Sequence, residues 1–327
     1  AVWASHWGAE HLAKPLKKLR KQKGFSLAAG GALVGLAAAS PEIGINISSA
    51  ATGVGEIGLG TMLGSNVIAI PLMVTTAYLA SRHLKKKNKD EQHKQHLRQH
   101  LLKVKPSAVK VQAAPYLAVI LIFAILTVPP GWRGLQPVDG WIMFFLYPAY
   151  LAQALYRGRK KAEEVSRSKK EIYLAVAGLL VLAVGAYFTV RATEQLVASL
   201  GISKLVGGLF ITAPMAALPE VFATWSVVKS GQITSGVTSV IGDHVVTLTV
   251  ALFPLALVGM PVRNFSLFAT VLIFMAVVAL LFSLFIHLGS HGDAERHGFK
   301  RWQVSVLVLT LVTYVATVLF GVLRIHS

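Results

Sequence analysis

A short segment occurs twice in this chain, once in each half, and both copies lie inside apolar stretches. The first copy has Ser-Pro-Glu at 40–42 and Gly-Ser-Asn at 64–66, and the second has Leu-Pro-Glu at 218–220 and Gly-Asp-His at 242–244. The two glutamates are 178 positions apart, an offset that three glycine pairs keep: Gly53/Gly231, Gly58/Gly236 and Gly64/Gly242. Holding a carboxylate inside a bilayer is costly, so an intramembrane glutamate indicates a functional site. Two of them at equivalent places in two repeats predict a transporter with a central ion site.

The composition places this site in a membrane. Hydrophobic residues make up 54% of the chain and charged residues only 14%. A membrane-spanning helix needs about 20 mostly apolar residues. Nine stretches meet that requirement: 25–51, 57–80, 114–131, 138–156, 171–190, 203–228, 235–259, 265–288 and 302–323. We therefore expect a multi-pass integral membrane protein whose main surroundings are the lipid bilayer.

A tenth helix is expected at the start of the chain. In the second half, about fourteen residues of apolar helix run from Glu171 to Gly185, whereas the matching Gly8-Ala9-Glu10 has only seven residues before it. We expect the chain to begin inside its first membrane helix, which would then be incomplete. Removal of a leader is the alternative, but it would leave a helix too short to span the bilayer.

The basic residues test the count of ten helices. The net charge is +18, yet the Lys and Arg residues lie between apolar spans, so nucleic acid is not an expected partner. Ten helices place 27 of them on one membrane face and five on the other. The five are Arg133, Arg191, Lys204, Arg263 and Arg324. The positive-inside rule assigns the richer face to the cytoplasm, so both termini are expected outside.

This threading divides the chain into two halves of five helices. We expect a first repeat at 1–156 with a basic cytoplasmic loop at 81–113, a cytoplasmic linker at 157–170, and a second repeat at 171–327. Because five is odd, the second half enters the membrane in the opposite sense to the first. The predicted fold is an all-α membrane protein of ten transmembrane helices, arranged as two inverted five-helix repeats.

The paired segments at 40–66 and 218–244 resemble the alpha repeats of the sodium/calcium exchanger (cation/calcium antiporter) superfamily. Shorter stretches are also similar to that family: Gly24-Phe25-Ser26, Gly201-Ile202-Ser203 and Gly8-Ala9-Glu10. The resemblance implies ten helices, with the second and third helices of each half meeting at the midplane around the two glutamates. It also implies alternating access, in which a pair of gating helices slides across the site.

The residues themselves also favour a cation site. Pro41 and Pro219 remove a backbone donor and disturb the preceding helical turn, so freed carbonyls can face a cavity. Ca²⁺ takes six to eight hard oxygen ligands, of which Glu42 and Glu220 could supply up to four. The alternative is that each glutamate is structural and paired with Lys or Arg. No basic residue lies between 28 and 81 or between 207 and 228, so such a partner is missing nearby in the sequence.

The chain departs from the family pattern at several positions. The family usually carries hydroxyl residues before each Pro-Glu, where this chain has alanine: Ala38, Ala39, Ala216 and Ala217. It tends to carry Asn or Asp where this chain has Ala69 and Thr247, and Ser where this chain has Asp243. Asp243 and Thr247 share one helix face, so the acid is interpreted as moved by one turn. The predicted metal ligands are Glu42, Glu220 and Asp243, and the further ion-binding candidates are Ser40, Ser65, Asn66, Thr212, His244 and Thr247.

This inventory leaves the coupling ion open between H⁺ and Na⁺. Several Na⁺ ions need many neutral oxygens, which the alanines do not provide. Three carboxylates in a low-dielectric cavity cannot all ionise cheaply, which favours a shared proton. His244 can also exchange a proton near neutral pH, although a packed histidine is the plainer interpretation. We expect exchange of Ca²⁺ or a similar cation for H⁺ or Na⁺, with no permanently bound cofactor.

Two classes of function remain at this point. The first is a secondary active antiporter, and the second is a transport-inactive homologue that serves as a membrane subunit or scaffold, with unspecified partner chains. An enzyme is not expected, because no nucleophile–base set, phosphate loop or cofactor motif is present. In the loop 81–113, His93, His96 and His100 would share one face of a helix. That face is interpreted either as a regulatory metal site or, more plainly, as a basic surface near anionic lipid headgroups.

Overall fold

A computed structural model gives the architecture of the chain. It describes residues 3, 4, 7, 11, 35–83, 98–104, 106–157, 169–229, 231, 233–288 and 297–324. Most of the predicted first helix, residues 84–97 and 105 of the basic loop and most of the linker lie outside these residues, and so do His93 and His96.

The first half consists of helices joined by short connections. Its elements are α1 (Ser40–Ala51), α2 (Gly55–Arg82), β1 (Leu101–Lys103), α3 (Pro106–Thr127), a 3₁₀ turn (Pro130–Trp132), β2 (Gly134–Leu135) and α4 (Pro137–Arg157). Gly53 connects α1 to α2 with a φ of +73°, a conformation that glycine adopts without steric cost. The two helices therefore turn back on each other within three residues.

The second half repeats this plan with more irregular helices. Its elements are α5 (Lys169–Leu200), α6 (Lys204–Gly207), a π-helical segment (Gly208–Thr212), α7 (Ala213–Lys229), α8 (Ile233–Thr249), α9 (Phe253–Leu257), β3 (Met260–Pro261), α10 (Phe265–Leu288), β4 (Gly298–Lys300), α11 (Arg301–Ala316) and a second π-helical segment (Thr317–Val322). The α6 helix, the π segment and α7 follow one another directly and together fill the predicted span 203–228.

Six helices in the described residues are long and apolar enough to cross a membrane. They cover Gly55–Arg82, Tyr173–Leu200, Lys204–Lys229, Gly236–Leu257, Phe265–Ile286 and Arg301–Val322, and Ala113–Thr127 is a shorter apolar helix. The prediction of a multi-pass helical membrane protein is confirmed. The count of ten helices stays a prediction. Two bounds were wrong in detail: α5 continues to Leu200, and the span 235–259 is interrupted between Thr249 and Phe253.

Helix α2 lies at the centre of the bundle. Of its most apolar window, 94% is buried, whereas the corresponding figure for Arg301–Val322 is 22%. It packs against α1, α7, α8, α10 and α11, so it contacts both halves of the chain. The polar side chains of α2 therefore face protein and not lipid.

Side chains of each half contact the other half at positions that the repeat offset relates. The Asn46 side-chain amide donates to the carbonyl of Ala251 at 2.6 Å, and the Thr224 hydroxyl donates to the sulfur of Met73 at 3.2 Å. Adding the repeat offset to Asn46 gives Thr224, and adding it to Met73 gives Ala251. One contact is thus the counterpart of the other, as a two-fold relation between the halves requires.

The close helix crossings obey the same relation. A Cβ atom on Gly35 would lie 2.6 Å from the carbonyl oxygen of Gly242. A Cβ atom on Gly64 would lie 2.7 Å from the Cβ of Ala213. Adding the repeat offset of 178 to the number of Gly35 gives Ala213, and adding it to that of Gly64 gives Gly242. Small residues thus let the helices approach at matched places, the usual device of membrane helix packing.

Two short antiparallel sheets also join the halves. Strand β1 pairs with β4, with Leu102 opposite Phe299, and β2 pairs with β3, with Leu135 opposite Met260. Each sheet combines one strand from the first half with one from the second. The loops at the ends of α2, α3, α10 and α11 are thereby fixed to the bundle.

The closest crossing joins α2 to the π segment through Gly60 and Gly208. A Cβ atom on Gly60 would lie 2.3 Å from the carbonyl oxygen of Leu205 and 3.0 Å from the Cα of Gly208. A Cβ atom on Gly208 would lie 2.4 Å from the carbonyl oxygen of Ile57. The obstacles are backbone atoms, which cannot move without separating the helices.

We expect Gly60→Ala to lower the melting temperature of the protein in detergent. Alanine gains about 1 kcal/mol of helix propensity over glycine, but overpacking against backbone costs about 1–3 kcal/mol or more, so the net effect is destabilising. Gly131→Ala is the control, because a Cβ there meets nothing within 4 Å. Equal melting temperatures for the two variants, measured by fluorescence-detected size-exclusion after heating, would contradict the crossing.

Candidate functional site

Three buried acids from three helices meet at the centre of the bundle. Glu42 lies in the first turn of α1, Glu220 in the middle of α7 and Asp243 in the middle of α8. One carboxylate oxygen from each lies within 4.8 Å of the other two. Glu42 and Asp243 are 2% and 3% exposed, and Glu220 is half-buried. The structure therefore brings together the three acids that the sequence selected, while their role as metal ligands stays a prediction.

The acids have few neutralising partners. Glu42 Oε2 and Asp243 Oδ1 are buried without a hydrogen-bond partner among the described residues. In the part of the chain that the structure describes, the ion pairs lie elsewhere, at Glu194 and Glu56. Carboxylates this close repel one another unless a proton or a cation reduces their negative charge. We therefore expect the cluster to hold positive charge.

Glu42 follows a single turn residue between two helical segments. Ala39, with φ −74° and ψ 0°, stays in the right-handed helical region, and Pro41 follows within the first turn of α1. The Ser40 hydroxyl donates to the carbonyl of Ala37 at 2.7 Å. That carbonyl is the one that the backbone of Pro41 cannot reach as a donor. The prediction of a free carbonyl at this point was therefore wrong, because Ser40 supplies the missing bond.

The second repeat differs from the first in the backbone around its proline. Helix α7 runs through Pro219 from Ala213 to Lys229, and the irregular backbone is the preceding π segment. The prediction that Pro219 disrupts the turn just before it was therefore wrong. Leu218 occupies the position equivalent to Ser40 and has no hydroxyl to offer. Thr212, at the end of the π segment, forms a 2.8 Å hydrogen bond with Thr193 of α5.

The remaining hydroxyl candidates bond to their own helices. Ser65 donates to the carbonyl of Met62 at 3.1 Å, and Thr247 donates to the carbonyl of Asp243 at 3.0 Å. Both are buried, at 3% and 0% exposure. Because each hydroxyl proton is already donated in a hydrogen bond, these side chains can bind a cation only through the lone pairs of their oxygen atoms.

Asn66 is fixed by two hydrogen bonds, one of which the sequence did not reveal. Its amide donates to the carbonyl of Met62 at 2.8 Å, and its Oδ1 accepts from the hydroxyl of Tyr116 at 3.0 Å. Tyr116 lies on α3 and is 0% exposed. The only sequence signal was a single tyrosine near the start of the apolar span 114–131, which by itself indicates nothing about a partner.

Tyr116 also contacts the equivalent residue of the other repeat. Its ring centroid lies 5.4 Å from that of His244, and His244 stands at the position equivalent to Asn66. His244 is 0% exposed, and both of its ring nitrogens are buried without a hydrogen-bond partner among the described residues. It packs beside the acid cluster, which agrees with the plainer of the two sequence interpretations. Tyr116 thus joins both alpha repeats just behind the acids.

The chain is similar to known proteins in sequence and in fold. The family model for sodium/calcium exchanger proteins matches residues 3–156 and 170–320, which confirms the resemblance predicted from the paired segments. An uncharacterized membrane protein of Methanocaldococcus jannaschii is 23% identical over 224 residues, covering 67% of this chain and 70% of the relative.

Solved structures of the sodium–calcium exchanger NCX_Mj share the fold. One, soaked with 2.5 mM Na⁺ and 0.1 mM Sr²⁺, has a TM-score of 0.63 at 18% identity and covers 96% of this chain and 95% of that one. Another, soaked with 2.5 mM Na⁺ and 10 mM Sr²⁺, has a TM-score of 0.61 at 19% identity with the same coverage. At such identities the likeness shows the fold alone.

We expect Tyr116→Phe to weaken the support behind the acids. Removing the hydroxyl leaves Asn66 Oδ1 without its donor, at a cost of about 0.5–1.5 kcal/mol. The matched control is Tyr150→Phe, because the Tyr150 hydroxyl is buried without a partner among the described residues. Thermal melting in detergent checks the difference, and equal melting temperatures would show that the Tyr116–Asn66 bond contributes nothing.

Asp243→Asn is expected to abolish cation binding without unfolding the protein. It removes one of three crowded negative charges, so the cation-free protein should melt no lower than the parent. Loss of a buried charged ligand should weaken Ca²⁺ binding by more than about tenfold. Thr247→Ala should do less, because that hydroxyl donates to its own helix. Isothermal titration with Ca²⁺ checks both, and a stronger effect of Thr247→Ala would reverse the assignment.

Proposed function

Because the chain belongs to the sodium/calcium exchanger protein family, we propose that it is a secondary active antiporter that exchanges Ca²⁺, or a similar divalent cation, for H⁺. The family consists of exchangers and not of enzymes. The observation that carries the proposal is the convergence of Glu42, Glu220 and Asp243 within 4.8 Å inside an apolar bundle. In this proposal the same three side chains hold the transported cation and the protons.

The spacing of the acids suits a divalent cation. Ca²⁺ binds oxygens at about 2.3–2.6 Å, so two ligands on opposite sides of it are separated by about 4.6–5.2 Å. The three carboxylate oxygens all lie within 4.8 Å of one another, so none of their separations exceeds what a single Ca²⁺ can bridge. Three carboxylates can supply up to six oxygens, which reaches the lower end of the coordination number of Ca²⁺. One ion can therefore contact all three without a large rearrangement.

The exchanged contacts between the halves support alternating access by inverted repeats. Helix α5 packs against α1, which carries Glu42, and its Thr193 bonds to Thr212 of the π segment. A helix that contacts both sides of the site through few polar bonds is suited to slide across it. We assign α5 as the gating helix of the second half, with the basic loops in the cytoplasm and the termini outside.

The hydrogen bonds favour H⁺ over Na⁺ as the coupling ion. Alanine replaces the usual hydroxyls at four positions, and Ser40, Ser65 and Thr247 direct their own hydroxyls to backbone carbonyls. A shared proton would reduce the repulsion between Glu220 and Asp243, which each have a carboxylate oxygen within 4.8 Å of the other. Ca²⁺ needs both ionised, so cation and proton compete for one site. Competition of this kind is the basis of exchange.

The test is ⁴⁵Ca²⁺ flux in proteoliposomes under imposed gradients. Transport should stop when a proton ionophore dissipates the pH gradient, because H⁺ then supplies no driving force. It should continue when choline replaces Na⁺ on both sides. Glu42→Gln liposomes provide the matched control for leak, because this variant removes one charge from the site and leaves the bundle unchanged.

Two other outcomes would contradict the proposal. Flux that requires Na⁺ and ignores the ionophore would assign Na⁺ as the coupling ion and give Ser65, Asn66 and Thr212 a larger role. A folded, reconstituted protein without flux under either gradient would favour the transport-inactive membrane subunit, for which the alanines around the site are the supporting observation.

A further inference from the structure

A basic cavity lies at one end of the bundle, away from the acid cluster. It has a volume of about 490 Å³ and is lined by Gln99, His100, Lys300, Arg301, Trp302 and Ser305. Its walls come from the residue before β1, the end of β4 and the first residues of α11. The cavity is open on one side, and its lining is cationic.

The cationic side chains are carried by a rigid support. Phe299, just before Lys300, is 0% exposed and packs on Phe282 of α10 with ring centroids 5.3 Å apart. On the paired strand, Leu102 is also 0% exposed. The β1–β4 sheet is therefore anchored in the core, and Lys300 and Arg301 leave it at fixed positions. The open cavity is therefore bordered by a sheet that is anchored in the core.

The charge of the cavity is not neutralised within the described part of the chain. None of its six lining residues is acidic, and the ion pairs of the described residues involve Arg191, Lys204 and Arg263. Arg82, at the end of α2, adds a further cation through a 3.3 Å contact between its guanidinium and Nδ1 of His100. His100 itself has a φ of +53°, a strained conformation that directs the chain around the cavity.

The cavity lies at the level where helices enter the membrane. The apolar span Arg301–Val322 begins at its wall. Trp302 is 54% exposed and stands edge-on to Phe285 with ring centroids 5.3 Å apart. A half-exposed tryptophan beside Lys and Arg is typical of the membrane interface, and the surrounding loops are the basic ones.

We propose that this cavity binds the phosphate headgroup of an anionic phospholipid from the surrounding leaflet. Lys300 and Arg301 pair with the phosphodiester, His100 and Ser305 offer hydrogen bonds to the headgroup, and Trp302 packs against the upper acyl chain. Cavities of this kind between membrane helices recognise acidic lipids through charge and interfacial position. The occupant would connect α11, the sheet and, through Arg82, the end of α2.

The experiment is native mass spectrometry of the full chain released from nanodiscs of equal parts phosphatidylglycerol and phosphatidylcholine. The parent protein should retain phosphatidylglycerol preferentially. Lys300→Gln/Arg301→Gln should reduce that preference by about fivefold for each charge removed. Lys204→Gln/Arg263→Gln removes the same net charge away from the cavity and should leave the preference unchanged.

Three results would overturn the proposal. Equal losses in the two double variants would show diffuse attraction by net charge, and no loss in either would show that the cavity holds no lipid. Stabilisation of the lipid-free protein by inorganic phosphate in detergent, absent in Lys300→Gln/Arg301→Gln and unaccompanied by lipid retention, would identify a free anion as the ligand. Size-exclusion profiles and the single variant Arg301→Gln check that the change does not unfold the protein. The readout does not depend on transport, so it stands or fails separately from the proposed antiport.

Discussion

The confinement of negative charge in an apolar interior is the constraint on which this structure depends. Glu42, Glu220 and Asp243 share a space less than 5 Å across, and no Lys or Arg among the described residues pairs with them. Such charges are tolerated in a membrane only where protons, cations or polar groups offset them. A site that is empty of cations and fully ionised would therefore destabilise the bundle. The helices are held together by small residues and backbone contacts such as Gly60 on Gly208, and in the described residues no ion pair to the three acids contributes to the packing.

The two halves have the same scaffold but different chemistry at matched positions. In the first repeat the Ser40 hydroxyl donates to the carbonyl that Pro41 cannot reach, whereas in the second repeat Leu218 has no hydroxyl and a π-helical segment precedes the helix that carries Pro219. Asn46 bonds to a carbonyl and its counterpart Thr224 to a thioether. Asn66 is held by two hydrogen bonds, and its counterpart His244 by packing against the same tyrosine. The residues around the acid cluster therefore differ between the two halves even where the positions correspond.

Much of the fold and the acids of the site could be predicted from the sequence. The repeat offset aligned Glu42 with Glu220, apolar length located α2, α7, α10 and α11, and one displaced acid pointed to Asp243. The hydrogen-bond partners could not be predicted in the same way. Tyr116 reaches Asn66 across 50 positions, and neither spacing nor periodicity encodes that contact. The effects of Pro41 and Pro219 also depend on their surroundings, since the Ser40 hydroxyl replaces the bond that Pro41 cannot make, whereas α7 simply continues through Pro219. Such compensation is decided by local packing, which a linear pattern does not contain.

The number of acids in the cluster has an electrical consequence. Three carboxylates with one Ca²⁺ carry a net charge of −1, and the same three with two protons also carry −1. An exchange of one Ca²⁺ for two protons would therefore be electroneutral, and the membrane potential would do no work on the cycle. A third proton would neutralise the cluster, and each cycle would then move one elementary charge, worth about 2.3 kcal/mol per 100 mV. In the proposed antiport, Asp243, placed where a serine is usual, would provide the site for that third proton and so allow voltage as well as concentration to drive the cycle.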